Sequence, residues 1–238
     1  MDKQLLVLAG GFGTRLRSLV SDVPKPLAPV SGAPFLQHLI LNWKSQGINH
    51  LVLLLHYEAE KIQELISAMN NIGLLEGIKI DIIVEERPLG TGGSVLNAVK
   101  CLSIKESFLV ANADTWLSEG IESMIGTAPC SIGSVKVNDI SRYGGLNIKD
   151  GYVRLFNEKK GEVKPGFINA GLYHLTPEVF QAYNLKSAFS IEDTVFPDLV
   201  ESNQLRAIEM KGDFVDIGIP SDYLSFCDRF NKGKLNEI

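Results

Sequence analysis

The chain has 238 residues, of which 45% are hydrophobic and 21% charged, with a formal net charge of -5. This composition excludes a disordered or fibrous chain, allows a sizeable core without disulfide staples, and suits one α/β domain or two small ones. The negative balance excludes a broad nucleic-acid footprint, so an anion site has to be a local concentration of Arg and Lys.

The first predicted element is a buried strand at Leu5–Leu8, a continuous apolar run. It breaks off into Gly10-Gly11-Phe12-Gly13, followed by Thr14, Arg15, Arg17 and then Lys25 between Pro24 and Pro26. The glycines let the backbone turn sharply and approach a ligand, and the prolines restrict the backbone around Lys25. Strand, glycine turn and fixed positive charge suit a polyphosphate, because amides and cations are aimed at the anion. The stretch is neither a P-loop, lacking Gly-Lys-Ser/Thr, nor the dinucleotide fingerprint, with Arg15 and Leu16 where the third glycine belongs.

A helix follows over 34–43, with Leu36, Leu39, Ile40 and Trp43 on one face and Gly47 as its stop. Leu51–Leu55 reads as a second buried strand and Glu58–Met69 as a helix with Ile62, Leu65, Ile66 and Met69 on its stripe. Ile78–Val84 is a third strand, leading through Glu85 to a second glycine turn at 90–93. Ser94–Leu102 reads as a helix and Ser107–Ala111 as a fourth strand, ending in Asn112-Ala113-Asp114. Four buried strands alternating with helices predict βαβ units and parallel pairing. Ligands in such sheets bind outside the carboxyl ends of the strands, where 10–13, 90–93 and 112–114 fall.

Beyond Asp114 the rhythm changes. Strands are predicted at 131–137, 145–148, 152–156, 167–175, 205–210 and 214–217, and helices at 179–183 and 191–200. A final helix spans 221–230 with Tyr223, Leu224 and Phe230 as packing residues, and 231–238 reads as a loose polar tail. Cys101, Cys130 and Cys227 lie far apart and read as reduced thiols. His38, His50, His56 and His174 have no metal-type spacing. No signal peptide or membrane-length apolar run is visible, so a cytoplasmic protein is expected, with no membrane partner.

Two aspartates stand out. Asp114 follows an apolar strand, a costly place for a carboxylate unless cations or donors meet it. Asp216 sits in FVDIGIPSDY. Capping is the plainer role for either. Two carboxylates together with triphosphate oxygens suit Mg²⁺, which takes few protein ligands and keeps water.

The stretch GGFGTRLRSL followed by PKPLAP resembles the N-terminal motif of the sugar-1-phosphate nucleotidyltransferases, and matches continue at spaced points to about residue 225. Ser18 stands where the family usually has proline, and Ala113 interrupts its usual Asn-Gly-Asp. The resemblance implies a Rossmann-like three-layer αβα sandwich with a mixed, mainly parallel central sheet. It implies one domain, with a nucleotide-binding half at 1–115 and a sugar-phosphate half at 116–230. Leu8, Ala9, Gly10, Gly11, Gly13, Thr14 and Arg15 would hold a nucleoside triphosphate, with Gly90, Thr91, Gly92 and Asn112 around it. Arg15 and Lys25 would be the catalytic cations, Lys25 at the α-phosphorus, and Asp114 and Asp216 would share one Mg²⁺. On the sugar side the resemblance points to Tyr143 and Gly144, to Glu158 and Lys159, and to Asn169 and Gly171; Lys160 and Lys164 are near enough in sequence to replace Lys159.

Glu85 bears on the base. It is five residues before Gly90, where relatives that bind thymidine or uridine nucleotides tend to have glutamine. A carboxylate accepts two hydrogen bonds and matches guanine's N1–H and 2-amino group, whereas thymine and uracil set an acceptor beside their N–H. GTP is therefore favoured, with Glu86 or a backbone carbonyl as the competing reader. The short chain, with no added carboxy-terminal domain, most resembles the D-glycero-α-D-manno-heptose-1-phosphate guanylyltransferases, with mannose-1-phosphate guanylyltransferases close behind. Thymidylyl-, uridylyl- and cytidylyltransferases stay open. So do a non-catalytic nucleotide-sugar-binding subunit and assembly into a homo-oligomer.

Overall fold

The computed structural model describes residues 3–13, 16, 19, 20, 23–143, 145–156 and 163–233. In chain order the strands are β1 Gln4–Leu8, β2 Pro29–Val30, β3 Ala33–Pro34, β4 His50–Leu55, β5 Lys79–Val84, β6 Phe108–Asn112, β7 Thr115–Leu117 and β8 Ser131–Val137. β9 Leu146–Lys149, β10 Tyr152–Phe156, β11 Gly166–Leu175, β12 Arg206–Glu209 and β13 Phe214–Asp216 complete them. The helices are α1 Phe35–Ser45, α2 Ala59–Asn71, α3 Gly90–Cys101, α4 Ile121–Ile125, α5 Phe196–Glu201 and α6 Pro220–Asn231. None of them is long and apolar enough to cross a membrane, among the described residues. The chain divides into two compact units, one of Met1–Pro88, Asn112–Glu119 and Gly212–Ile238, the other of Leu89–Ala111 and Gly120–Lys211.

In the first unit β1, β4 and β5 pair in parallel, with Leu8 opposite Leu54 and Leu55 opposite Val84. β1 and β4 are apolar and buried, as their continuous hydrophobic runs require. β5 corrects the expectation of a fully buried third strand. It lies at the end of the strand order and is half-exposed, and its Asp81 takes an ion pair from Lys79 at 2.7 Å. One unpaired side leaves an edge strand open to water, and the two charged residues suit it. α1 buries the predicted Leu36, Leu39, Ile40 and Trp43, together with Phe35. In α6 the buried residues are Tyr223 and Phe226, while Leu224, expected in the packing, points outward at 55% exposure. Positions 223, 226 and 230 share a helical face that 224 does not. Phe226 meets Phe35 at 5.2 Å and Trp116 at 5.5 Å between ring centroids.

In the second unit β11 runs antiparallel to both β6 and β8, β8 is parallel to β12, and β10 is antiparallel to β12 and β9. The pairing is thus mixed: β1, β4 and β5 of the first unit are parallel, its short pairs β2–β3 and β7–β13 are antiparallel, and the second unit is mostly antiparallel. Two predicted helices differ in kind. Pro177–Phe180 is a short 3-10 turn, and the 191–200 segment opens with a π-helical turn at Ile191–Val195 before α5. The 90–93 segment is not a loop: α3 begins at Gly90, four residues earlier than expected. Gly92 and Gly93 donate their N–H groups to the Phe189 carbonyl at 3.0 and 3.3 Å. A Cβ on Gly92 would stand 2.4 Å from the Phe189 ring, so that ring accounts for the glycine.

Candidate active site

In the first unit the ends of β1 and β4 and the segment from Asn112 to Asp114 come together. Ala9, just past β1, donates its N–H to the Leu54 carbonyl at 3.1 Å, and Ala113 donates to Leu8 at 3.1 Å. A cleft of about 180 Å³ opens there, lined by Leu8, Ala9, Gly11, Gly13, Lys25 and Asp114, with Pro26, Ala113 and Gly218 completing it. The predicted glycine turn, lysine and first aspartate are therefore brought to one place.

Lys25 begins a 3-10 turn, Lys25–Leu27, set up by Pro24. Its side chain is only 8% exposed, and its Nζ lies 2.6 Å from Asp114 Oδ2 and 3.4 Å from Asp216 Oδ1. Gly13 has φ +57°, and a Cβ there would meet the Lys25 Cβ at 2.7 Å. The glycine is thus required by the lysine's close approach as well as by its backbone angle. The pairing of β7 with β13 sets Thr115 opposite Asp216, and the Ile217 N–H donates to the Asp114 carbonyl at 3.0 Å. That short ribbon brings the two aspartates together; β7 was not predicted, because three residues carry too little pattern to read as a strand.

Burial pushes the Asp216 carboxyl above the usual carboxylate range, and the Asp114 charge pushes in the same direction. The Lys25 ammonium and the Gly218 N–H, 2.6 Å from Asp216 Oδ1, work against that shift. Gly218 is a site residue the sequence reading missed; its only signal was a glycine two positions after the aspartate. The donor set fits a magnesium ion: two convergent carboxylates already hold one cationic group, and Asp114 keeps 38% of its side chain exposed. Hard oxygen ligands, few in number, leave room for water and phosphate oxygens. Asn112, expected beside the nucleotide, has a buried Oδ1 with no hydrogen-bond partner among the described residues.

Gly10 packs tightly against His56, whose backbone N a Cβ would meet at 3.2 Å. Glu85 is buried one residue past β5, its N–H donating to the Leu55 carbonyl at 2.8 Å. The His56 ring sits 2.9 Å from the Glu85 carbonyl through Nδ1. A carbonyl only accepts, so Nδ1 carries the proton. Glu86, the competing base reader, is exposed.

In the second unit Gly90, Thr91 and Gly92 form the first turn of α3. Asn169 Oδ1 accepts from the Gly171 N–H at 2.8 Å, and Asn169 Nδ2 donates to the Tyr173 hydroxyl at 2.9 Å. Tyr143 lies under the Arg142 guanidinium, 5.0 Å from its ring centroid. Thr14, Arg15, Gly144, Glu158 and Lys159 fall outside the described residues, as does Lys160. No disulfide forms among the three cysteines, and no cluster of three or more His, Cys, Asp or Glu occurs among the described residues.

A model of the nucleotidyl transferase family matches residues 4–232. A D-glycero-α-D-manno-heptose 1-phosphate guanylyltransferase of Campylobacter jejuni is 34% identical over 94% of this chain and 98% of its own length. A probable mannose-1-phosphate guanylyltransferase of Arabidopsis thaliana is 35% identical over 92% of this chain, which spans 63% of that longer protein. The crystal structure of HddC from Yersinia pseudotuberculosis aligns with a TM-score of 0.84 at 36% identity, covering 96% of this chain and 99% of that one. The same protein has been solved complexed with GMP-PN, and that structure aligns with a TM-score of 0.83. UDP-glucose pyrophosphorylase from Acinetobacter baumannii, at 20% identity and a TM-score of 0.79, shares the fold.

Proposed function

The chain belongs to the nucleotidyl transferase family, and from that premise we propose that it transfers GMP from GTP to a sugar 1-phosphate, best fitted by D-glycero-α-D-manno-heptose 1-phosphate. The observation that carries the reading is the Lys25 ammonium held between Asp114 and Asp216 at the end of the glycine turn. The heptose assignment draws on the Campylobacter relative, matched over nearly the full length of both chains, and the guanine assignment on the HddC complex and on buried Glu85. Mannose 1-phosphate is the second reading, favoured by the Arabidopsis relative. The free thiols, one of them exposed, suit a reducing cytoplasm.

In the reaction a phosphate oxygen of the sugar 1-phosphate attacks the α-phosphorus of GTP in line. The bond from the α-phosphorus to the bridging oxygen breaks, and pyrophosphate leaves with the electron pair. The attacking oxygen is already anionic at neutral pH, so no side chain has to remove a proton. The chain's task is positioning and charge stabilisation. N–H groups of the turn at 10–13 receive the triphosphate, and Lys25 Nζ neutralises charge growing on the α-phosphate oxygens. Asp114 and Asp216 would hold Mg²⁺, which when bound supplies further positive charge to the polyphosphate. Arg15 is assigned to the triphosphate. Glu158, Lys159, Asn169 and Gly171, with Tyr143 and Gly144, are assigned to the sugar phosphate.

Pyrophosphate release from GTP, UTP, dTTP, CTP and ATP, each crossed with heptose, mannose and glucose 1-phosphates, tests the reading. GTP with heptose 1-phosphate should give the highest kcat/KM. A clear preference for UTP or dTTP would refute the role given to Glu85.

A further inference from the structure

Glu192 lies in the π-helical turn Ile191–Val195, a rare element that often marks a functional site. Its carboxylate gathers three hydroxyls. Oε2 accepts from Thr91 Oγ1 and from Ser190 Oγ, both at 2.8 Å, and Oε1 accepts from the Tyr173 hydroxyl at 3.2 Å. Each hydroxyl has its direction fixed from behind. The Thr91 oxygen accepts the Ile191 N–H at 2.8 Å, and the Ser190 oxygen accepts the Asp193 N–H at 3.1 Å. The Tyr173 oxygen accepts from Asn169 Nδ2, whose Oδ1 in turn takes the Gly171 N–H. A hydroxyl has one proton, so every bond in the chain points toward Glu192, whose two carboxylate oxygens accept all three.

The relay fixes the Asn169 amide: oxygen toward Gly171, nitrogen toward Tyr173, with one N–H and one lone pair that no hydrogen bond among the described residues takes. It occurs where β11 shifts register, between Asn169 and Tyr173, so side chains supply the ordering that the strand ladder does not. Tyr173 is fully buried, which keeps water from competing for its hydroxyl.

We propose that Glu192 is a positioning residue that orders both substrates' contacts, the Thr91 hydroxyl on the nucleotide side and, through Tyr173, the Asn169 amide on the sugar side. The proposal rests on the roles given to Thr91 and Asn169 in the proposed function. A glutamine at 192 keeps the shape but offers one acceptor oxygen in place of two. With that oxygen kept by Thr91 and Ser190, its amide nitrogen faces Tyr173 and reverses the relay. The Asn169 amide then loses its fixed direction.

The test is steady-state kinetics of Glu192→Gln, Tyr173→Phe and the double variant, with thermal melting as the control for folding. Tyr173→Phe cuts only the sugar branch. It should raise the sugar 1-phosphate KM about tenfold, the loss of one well-made hydrogen bond, and leave the GTP KM within about twofold. Glu192→Gln should raise the sugar 1-phosphate KM by a similar factor, and the double variant should be no worse than the poorer single, because both cut one relay. Tyr173→Phe retains the ring and stays readable if Glu192→Gln loses the fold. A working enzyme whose sugar 1-phosphate KM is unmoved by these changes, or whose effects multiply, overturns this proposal alone. A wild-type chain that turns over no pair of substrates overturns the proposed function and this proposal with it.

Discussion

Lys25 is a buried ammonium that two carboxylates hold in place, and its neighbours explain its position. Asp114 and Asp216 lie 89 and 191 residues away in sequence. Without Lys25 they would face each other across a partly buried gap, and the Asp114 charge already helps to push the Asp216 carboxyl up. Lys25→Met should therefore lower turnover by about 10²–10³-fold, the usual loss for a preorganised charge aimed at the reacting group. It should also lower stability by about 1–3 kcal/mol, limited by the exposure of both carboxylates. Gly13→Ala acts on the same lysine. It forces a side chain into φ +57° and onto the Lys25 Cβ. A stability loss of about 1–2 kcal/mol is expected, with at least about a tenfold drop in kcat. Wild-type turnover in Gly13→Ala would mean that the lysine's placement does not depend on the turn. At this scale the chemistry was legible: glycines, a proline-flanked lysine and two strand-end aspartates named the parts. The burial of Lys25 between the aspartates was not, because sequence separation carries no distance.

Elements decide which parts meet. The β7–β13 ribbon joins Asp114 to Asp216, yet three residues of strand are too short to announce themselves by alternation. The apolar strands β1, β4 and β6 were read within one residue, because burial on both faces leaves a continuous signal, and the bounds of β8 and β10 were read to the residue. The start of α3 was misread, since glycines at 90–93 look like a turn until the Phe189 ring and carbonyl that require them are known. β11 carries a separate, testable feature. His174 shares its Nδ1–H between the Met124 and Thr127 carbonyls at 3.0 and 3.1 Å. Burial pulls its pKa below 6.5, and the two carbonyls only partly restore it. The folded chain thus binds that proton less well than the unfolded chain. The stabilising contribution is complete above the unfolded pKa and is lost as the pH falls below it. Between pH 7 and pH 5 the melting temperature of His174→Gln should fall less than that of the wild type. An equal or steeper fall would remove His174 from the acid sensitivity.

For the molecule as a whole, a net charge of -5 leaves anion binding to a local arrangement, and among the described residues the cleft holds one cation, Lys25, between two carboxylates. The composition and strand rhythm pointed to an α/β chain, which the parallel strands of the first unit follow, and a cleft opens at the strand ends where ligands were expected. The mostly antiparallel second unit follows no alternating helix–strand rhythm, so its pairing order could not be read from spacing. Membership of the nucleotidyl transferase family joins both units to one reaction class. If two carboxylates and phosphate oxygens hold Mg²⁺, chelation with EDTA should abolish turnover and Mg²⁺ should restore it; full turnover in excess EDTA would remove the metal from the account. The most direct measurement is mass-spectrometric identification of the product from GTP, Mg²⁺ and D-glycero-α-D-manno-heptose 1-phosphate, with Lys25→Met alongside. The account predicts a GDP-heptose and one pyrophosphate per turnover from the wild type, and almost none from the variant. Absence of any GDP-sugar from the wild type, or equal yield from Lys25→Met, would contradict it.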